Sequence, residues 1–198
     1  MKKRISSKRP IAGFTLIEAL VVIIMAGILF AIAAPSWIGF LNRQRLSTAR
    51  GQVFEILRAA QADAKRTKVS RAVFFDNKNL EKKPRVIVVP YKKEVLKADG
   101  TVDTAATSTP SGNDGRWQVL GNGDIKEGVI KIAGKPNNGS ETASGNVVFD
   151  TYGNVDQNIL TMPYTITIQT TNVPSPKRCV KVTTLLGAMA SAEDSECN

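Results

Sequence analysis

From Phe14 to Leu41 the chain carries a single formally charged side chain, Glu18, in an otherwise apolar run. A stretch of roughly 20 apolar residues is long enough to cross the hydrocarbon core of a bilayer as a helix. A carboxylate inside such a helix costs about 2.5 to 3.5 kcal/mol at its centre and by default marks a functional position. Glu18 lies near the start of the run, just after Lys2, Lys3, Arg4, Lys8 and Arg9. Positive charge there holds the preceding end in the cytoplasm. Cleavage between Gly13 and Phe14 would place a new amine one helical turn from Glu18. Cation and anion then meet within one chain, or Glu18 neutralises the amine of a neighbouring copy.

Two plainer readings compete. Ala31-Ile32-Ala33 offers a small-residue site for a secretory signal peptidase, but the run exceeds the usual 7 to 15 residues of such a segment, and Glu18 is out of place in one. A simple single-span anchor accounts for the length and leaves Glu18 unexplained.

Helical periodicity continues past the apolar run. Leu46, Ala49, Val53, Ile56, Leu57, Ala60 and Ala64 recur at three- and four-residue steps, with Arg43, Arg45, Arg50, Arg58, Lys65 and Arg66 between them. The pattern predicts one helix over 14–67, with an apolar half over 14–41 and an amphipathic half over 42–67. Pro35 removes a backbone donor inside it and predicts a kink there, with Gly39 adding local freedom.

Beyond Lys68 the period changes. Short β-rich runs cover 69–75, 85–91, 116–120, 129–132, 147–150, 164–169 and 180–185, separated by turn signals such as Asp76-Asn77, Asn122-Gly123 and Asn138-Gly139. Residues 68–198 therefore read as an antiparallel sheet on which the amphipathic half of the helix packs, giving an α+β fold. Residues 92–115 read as a long exposed loop.

Composition narrows the chemistry. With no histidine in 198 residues, His-based triads, His general bases and His metal sites are excluded. No Ser-x-x-Lys, Gly-x-Ser-x-Gly, phosphate-loop or EF-hand pattern occurs. No enzyme, cofactor or metal is expected. Five of the 27 basic residues lie in the first 13, so the formal charge of +10 falls to +5 without them. Cys179 and Cys197 lack the spacing of a zinc site. In an exported domain they predict a disulfide closing the tail, worth about 3 kcal/mol on the chain-entropy model, with two buried free thiols as the alternative.

A short basic leader followed by Gly13-Phe14-Thr15-Leu16-Ile17-Glu18 and an apolar helix resembles the type IV prepilin signature of pilins, minor pilins and type II secretion pseudopilins. The resemblance implies removal of residues 1–13 by a prepilin peptidase, which also methylates the Phe14 amine. It makes Glu18 the subunit-assembly carboxylate and puts Pro35 where such helices commonly bend. It further implies a single-pass bacterial inner-membrane protein with an exported carboxy-terminal domain. Its partners would be other pilins or pseudopilins, met through the helix in a pilus or a periplasmic pseudopilus.

Val147 to Gly153 and Cys179 to Gly187 are similar to the paired strand-to-glycine elements of the GspH/FimT branch. Some minor pilins of that branch take up DNA through a Gly-Arg-x-Arg motif after the last strand. Here those positions read Gly187-Ala188-Met189-Ala190, and Glu193, Asp194 and Glu196 follow. Carboxylates repel phosphate, so DNA contact would fall to Lys177, Arg178 and Lys181, or to the cluster Lys82, Lys83, Arg85, Lys92 and Lys93. The resemblance thus implies a minor pilin-like structural subunit, at the pilus tip and contributing to biogenesis or DNA uptake. The alternatives are a minor pseudopilin of type II secretion and a DNA receptor acting through those basic residues.

Overall fold

A computed structural model describes residues 13–76, 83–91, 110–111, 114–121, 125, 127–136, 139–140, 144–156, 162–171 and 176–197, without the side chains of 33–36 and 144. The chain divides into two compact units, Met1–Leu41 and Asn42–Asn198. One helix, α1 (Leu16–Thr67), contributes to both. Pro35 and the kink expected at it lie outside the described side chains.

In the second unit α1 presents one buried stripe, Leu46, Ala49, Val53, Leu57, Ala60 and Ala64, spaced three or four residues apart. Ile56, expected in that stripe, is only partly buried. The stripe joins a core built from two antiparallel four-stranded sheets rather than the single sheet anticipated. The first sheet contains β1 (Arg71–Asp76), β2 (Arg85–Pro90), β3 (Gln118–Val119) and β5 (Ser144–Phe149), in the order β3-β2-β1-β5. The second contains β4 (Ile130–Lys135), β6 (Tyr164–Thr170), β7 (Lys177–Val182) and β8 (Met189–Glu193), in the order β4-β6-β7-β8.

Strand alternation decides what each face carries. On the helix side lie Val73 and Phe75 of β1, Val147 and Phe149 of β5, Ile130 and Ile132 of β4, Ile166 and Ile168 of β6, and Val180 and Val182 of β7. The other face of the first sheet holds a second apolar cluster of Ala72, Ile87, Val89 and Val148. The two sheets meet at Tyr164, whose phenolic oxygen lies so close to Gly134 and Gly145 that a Cβ on either would stand 2.0 or 2.2 Å from it. Burial there pushes the Tyr164 hydroxyl up to about 12.

The tail is more regular than the sequence suggests. Residues outside the β-rich runs read from the sequence pair with β7 as the edge strand β8, and a short 3-10 turn (Asp194–Cys197) follows. The Cys179–Cys197 disulfide is present and joins that turn to β7. Most of the long loop expected over 92–115, namely 92–109 and 112–113, lies outside the described residues. At its end, Trp117 Nε1 donates to the Ser111 carbonyl at 2.9 Å, and the Arg85 guanidinium sits 4.7 Å from the Trp117 ring centroid.

Candidate functional site

The amino-terminal segment begins with Gly13, Phe14 and Thr15 in exposed, non-helical backbone. Thr15 then caps α1. Its hydroxyl accepts the Glu18 N–H at 3.3 Å, and its carbonyl accepts the Ala19 N–H at 3.2 Å. Thr15-x-x-Glu18 is thus the capping pattern of a helix start, a signal the sequence carried and the charge argument passed over. An acidic side chain in the first turn also complements the positive end of the helix dipole. Glu18 therefore helps to begin the helix as well as breaking its apolar run.

From Phe14 to Phe40 no side chain among the described residues is buried. Phe14 is 77 % and Leu16 85 % exposed. A helix that is apolar on all sides persists only when lipid or other apolar helices surround it. Taken as separate helices, none of the described ones is long and apolar enough to cross a membrane; Leu16–Ile32 and Trp37–Thr67 pass together, by length and composition. Residues 1–12, the expected leader, lie outside the described residues.

The two strand-to-glycine elements converge on one side chain of α1. Gln61 Nε2 donates to the carbonyls of Gly153 at 2.8 Å, Leu186 at 3.2 Å and Gly187 at 3.3 Å. The Val155 N–H donates to the Leu185 carbonyl at 2.7 Å and ties the two turns together. Gly153 and Gly187 have φ of 80° and 76°, in the left-handed region that favours glycine. A Cβ on Gly187 would also stand 2.3 Å from Gln61 Nε2. Gln52 of α1 does similar work beyond β3, accepting the Gly121 N–H at 2.6 Å.

The three basic residues singled out in the sequence do not share a face. Arg178 lies on the same side of β7 as Val180 and Val182. There it pairs with Glu193 at 2.9 Å and Asp194 at 3.7 Å, while Glu193 also holds Arg50 of α1 at 2.9 Å. Its charge is spent on joining β7, β8 and α1. Lys177 and Lys181 point to the opposite side, with Cys179 between them. Register places two further lysines on that side, because Lys131 faces Gln169, which faces Lys177, and Lys135 faces Thr165, which faces Lys181. Lys131 and Lys135 were not singled out in the sequence, although they lie at even spacing on either side of Ile132 and Gly134. Of the second basic cluster, Lys82, Lys92 and Lys93 lie outside the described residues, and Arg85 is paired with Asp76.

Residues 8–34 match the family described as the prokaryotic N-terminal methylation motif. No curated protein matches the chain in sequence. Among solved structures the chain is similar to the type IV minor pilin FimU of Pseudomonas aeruginosa, at 14% identity and a TM-score of 0.48, over 80% of this chain and 99% of that one. It is also similar to the minor pseudopilin EpsH of the Type 2 Secretion System of Vibrio cholerae, at 12% identity and a TM-score of 0.42, over 75% of this chain and 96% of that one.

Proposed function

We propose that this prepilin-like chain is a minor pilin-like structural subunit, cut after Gly13, methylated on the Phe14 amine and built into a filament through α1. The observation that carries the reading is the methylation motif over residues 8–34 with Glu18 inside it. Burying that carboxylate among apolar helices is costly unless a cation meets it, and cleavage at Gly13 supplies one a turn away. The exposed, non-helical backbone at Gly13 and Phe14 suits a peptidase, which needs extended chain. The exposed and, Glu18 apart, largely apolar side chains of residues 14–40 suit a life in lipid followed by packing against other such helices.

Glu18→Ala is expected to leave membrane insertion intact and to abolish recovery of the chain in sheared filaments. Normal incorporation of that variant would refute the assembly role. Mass spectrometry of the mature amino terminus tests the processing step. A methylated Phe14 is expected, and a chain beginning near Ala33 would make it a secretory protein instead. The same anchor serves a minor pseudopilin of type II secretion, and the class of the neighbouring genes, pilus or secretion, separates the two.

A further inference from the structure

β8 is the outer strand of the second sheet, and its far edge is open. The Thr183 N–H donates to the Ala188 carbonyl at 2.8 Å, in the register that continues through Val182 and Met189. Residues of an antiparallel pair alternate between bonding their partner and turning away from it. Ala190 and Ala192 therefore bond to β7, while Met189, Ser191 and Glu193 turn their N–H and carbonyl groups outward. No strand among the described residues meets those groups, and Ala190, Ser191 and Glu193 are exposed. A bare edge invites another strand, and folded proteins usually blunt it with lysine, proline or a bulge. Met189-Ala190-Ser191-Ala192-Glu193 has none of these.

One flank of α1 runs beside that edge. Arg50, Phe54, Arg58 and Gln61 recur at four- and three-residue steps, so they share a side of the helix. Arg50 meets Glu193 at the end of β8, and Gln61 meets Gly187 just before its start. From Arg50 to Arg58 the helix rises about 12 Å, the length of roughly four strand residues, which brings Arg58 level with Met189. Arg58 is exposed and lies 5.3 Å from the Phe54 ring centroid, and no carboxylate among the described residues pairs with it. The Glu193 side chain, though held by Arg50 and Arg178, is 52 % exposed, and a carboxylate has lone pairs for further donors.

We propose that two copies of this chain join edge to edge through β8, antiparallel and centred on Ser191, into one continuous sheet. This register pairs every residue of β8 and places Met189 of each copy opposite Glu193 of the other. The outward backbone groups of each strand then satisfy those of its twin, as in strand addition. Paired residues share a side of the sheet, so Glu193 arrives on the α1 side, where Arg58 of the facing copy stands. Charge meets opposite charge on both sides of the two-fold axis, and the small Ala190 and Ala192 let the strands approach. A two-fold pair closes on itself, so this union is a form of the chain apart from any filament. It goes beyond the subunit role proposed above and stands without it.

The test uses the full chain in detergent. In a bonded antiparallel pair the Cα atoms lie about 5.5 Å apart, inside the range a disulfide spans, so Ser191→Cys should give a covalent dimer on mild oxidation. Glu55→Cys, exposed on another side of α1, should give at least tenfold less. Adding Arg58→Glu to Ser191→Cys should cut the yield at least tenfold, and Arg58→Lys should retain it. Hydrogen exchange needs no cysteine: the Met189, Ser191 and Glu193 amides should be protected in concentrated protein and lose that protection on dilution. Ser191→Pro should expose the Met189 and Glu193 amides at any concentration while keeping the ladder to β7, because the N–H it removes points outward. Equal cross-linking at both positions, a yield indifferent to Arg58→Glu in a chain of native circular dichroism, or fast exchange of the outward amides at high concentration would overturn the proposal. So would cross-linking of Ser191→Cys in cells to another protein and never to itself, which gives the edge a different occupant.

Discussion

Glu18 stands out in the sequence as the one charge in an apolar run, whereas Gln61 does not. A glutamine on an amphipathic helix looks like any solvated side chain, and only the folded arrangement shows it holding Gly153, Leu186 and Gly187. Gln61→Leu keeps the bulk and removes the donor, stranding carbonyls of both turns. It is expected to lower unfolding free energy by about 1 to 3 kcal/mol, measured by urea denaturation of residues 42–198. Tyr164 gives a second test at this scale. Its hydroxyl is raised to about 12 in the folded state by burial, above an unfolded value of about 10. Stability from this group is therefore complete below pH 10 and is lost as pH rises from 10 through 12, by about 2 to 3 kcal/mol in all. Absorbance titration should show Tyr164 ionising near 12, and Tyr164→Phe should remove that part of the alkaline loss.

Among the elements, α1 and most strands announce themselves through period 3.6 and period 2, and β8 does not. Met189-Ala190-Ser191-Ala192-Glu193 holds no β-branched or aromatic residue; its place is set by pairing with β7 and by the Arg50–Glu193–Arg178 ion pairs. The disulfide was predictable from two cysteines close together in the sequence, but β8 and the turn after it that carries Cys197 were not. Cys179→Ser/Cys197→Ser should cost about 3 kcal/mol, read as a lower urea midpoint. The junction of the two sheets offers a sharper check. A Cβ on Gly145 would lie 2.2 Å from the Tyr164 hydroxyl but 3.5 Å from Cζ, whereas one on Gly134 would lie 2.9 Å from Cζ. Tyr164→Phe should accordingly restore most of the stability lost in Gly145→Ala and little of that lost in Gly134→Ala, as a double-mutant cycle would report.

For the molecule as a whole, the described core draws on Leu46 to Cys197 and takes nothing from residues 13–41. The α+β class and the change from an apolar to an amphipathic helix were readable, because both follow from which side chains recur at which interval. The division of the strands into two sheets was not, since it depends on pairings between residues far apart in sequence. Residues 42–198 alone are expected to unfold cooperatively, with a midpoint within a few degrees of that of the full chain in detergent; a broad, non-cooperative transition would contradict this. If the chain is drawn from lipid into a filament, as proposed, the interior described for residues 42–198 has no packing of its own to give up.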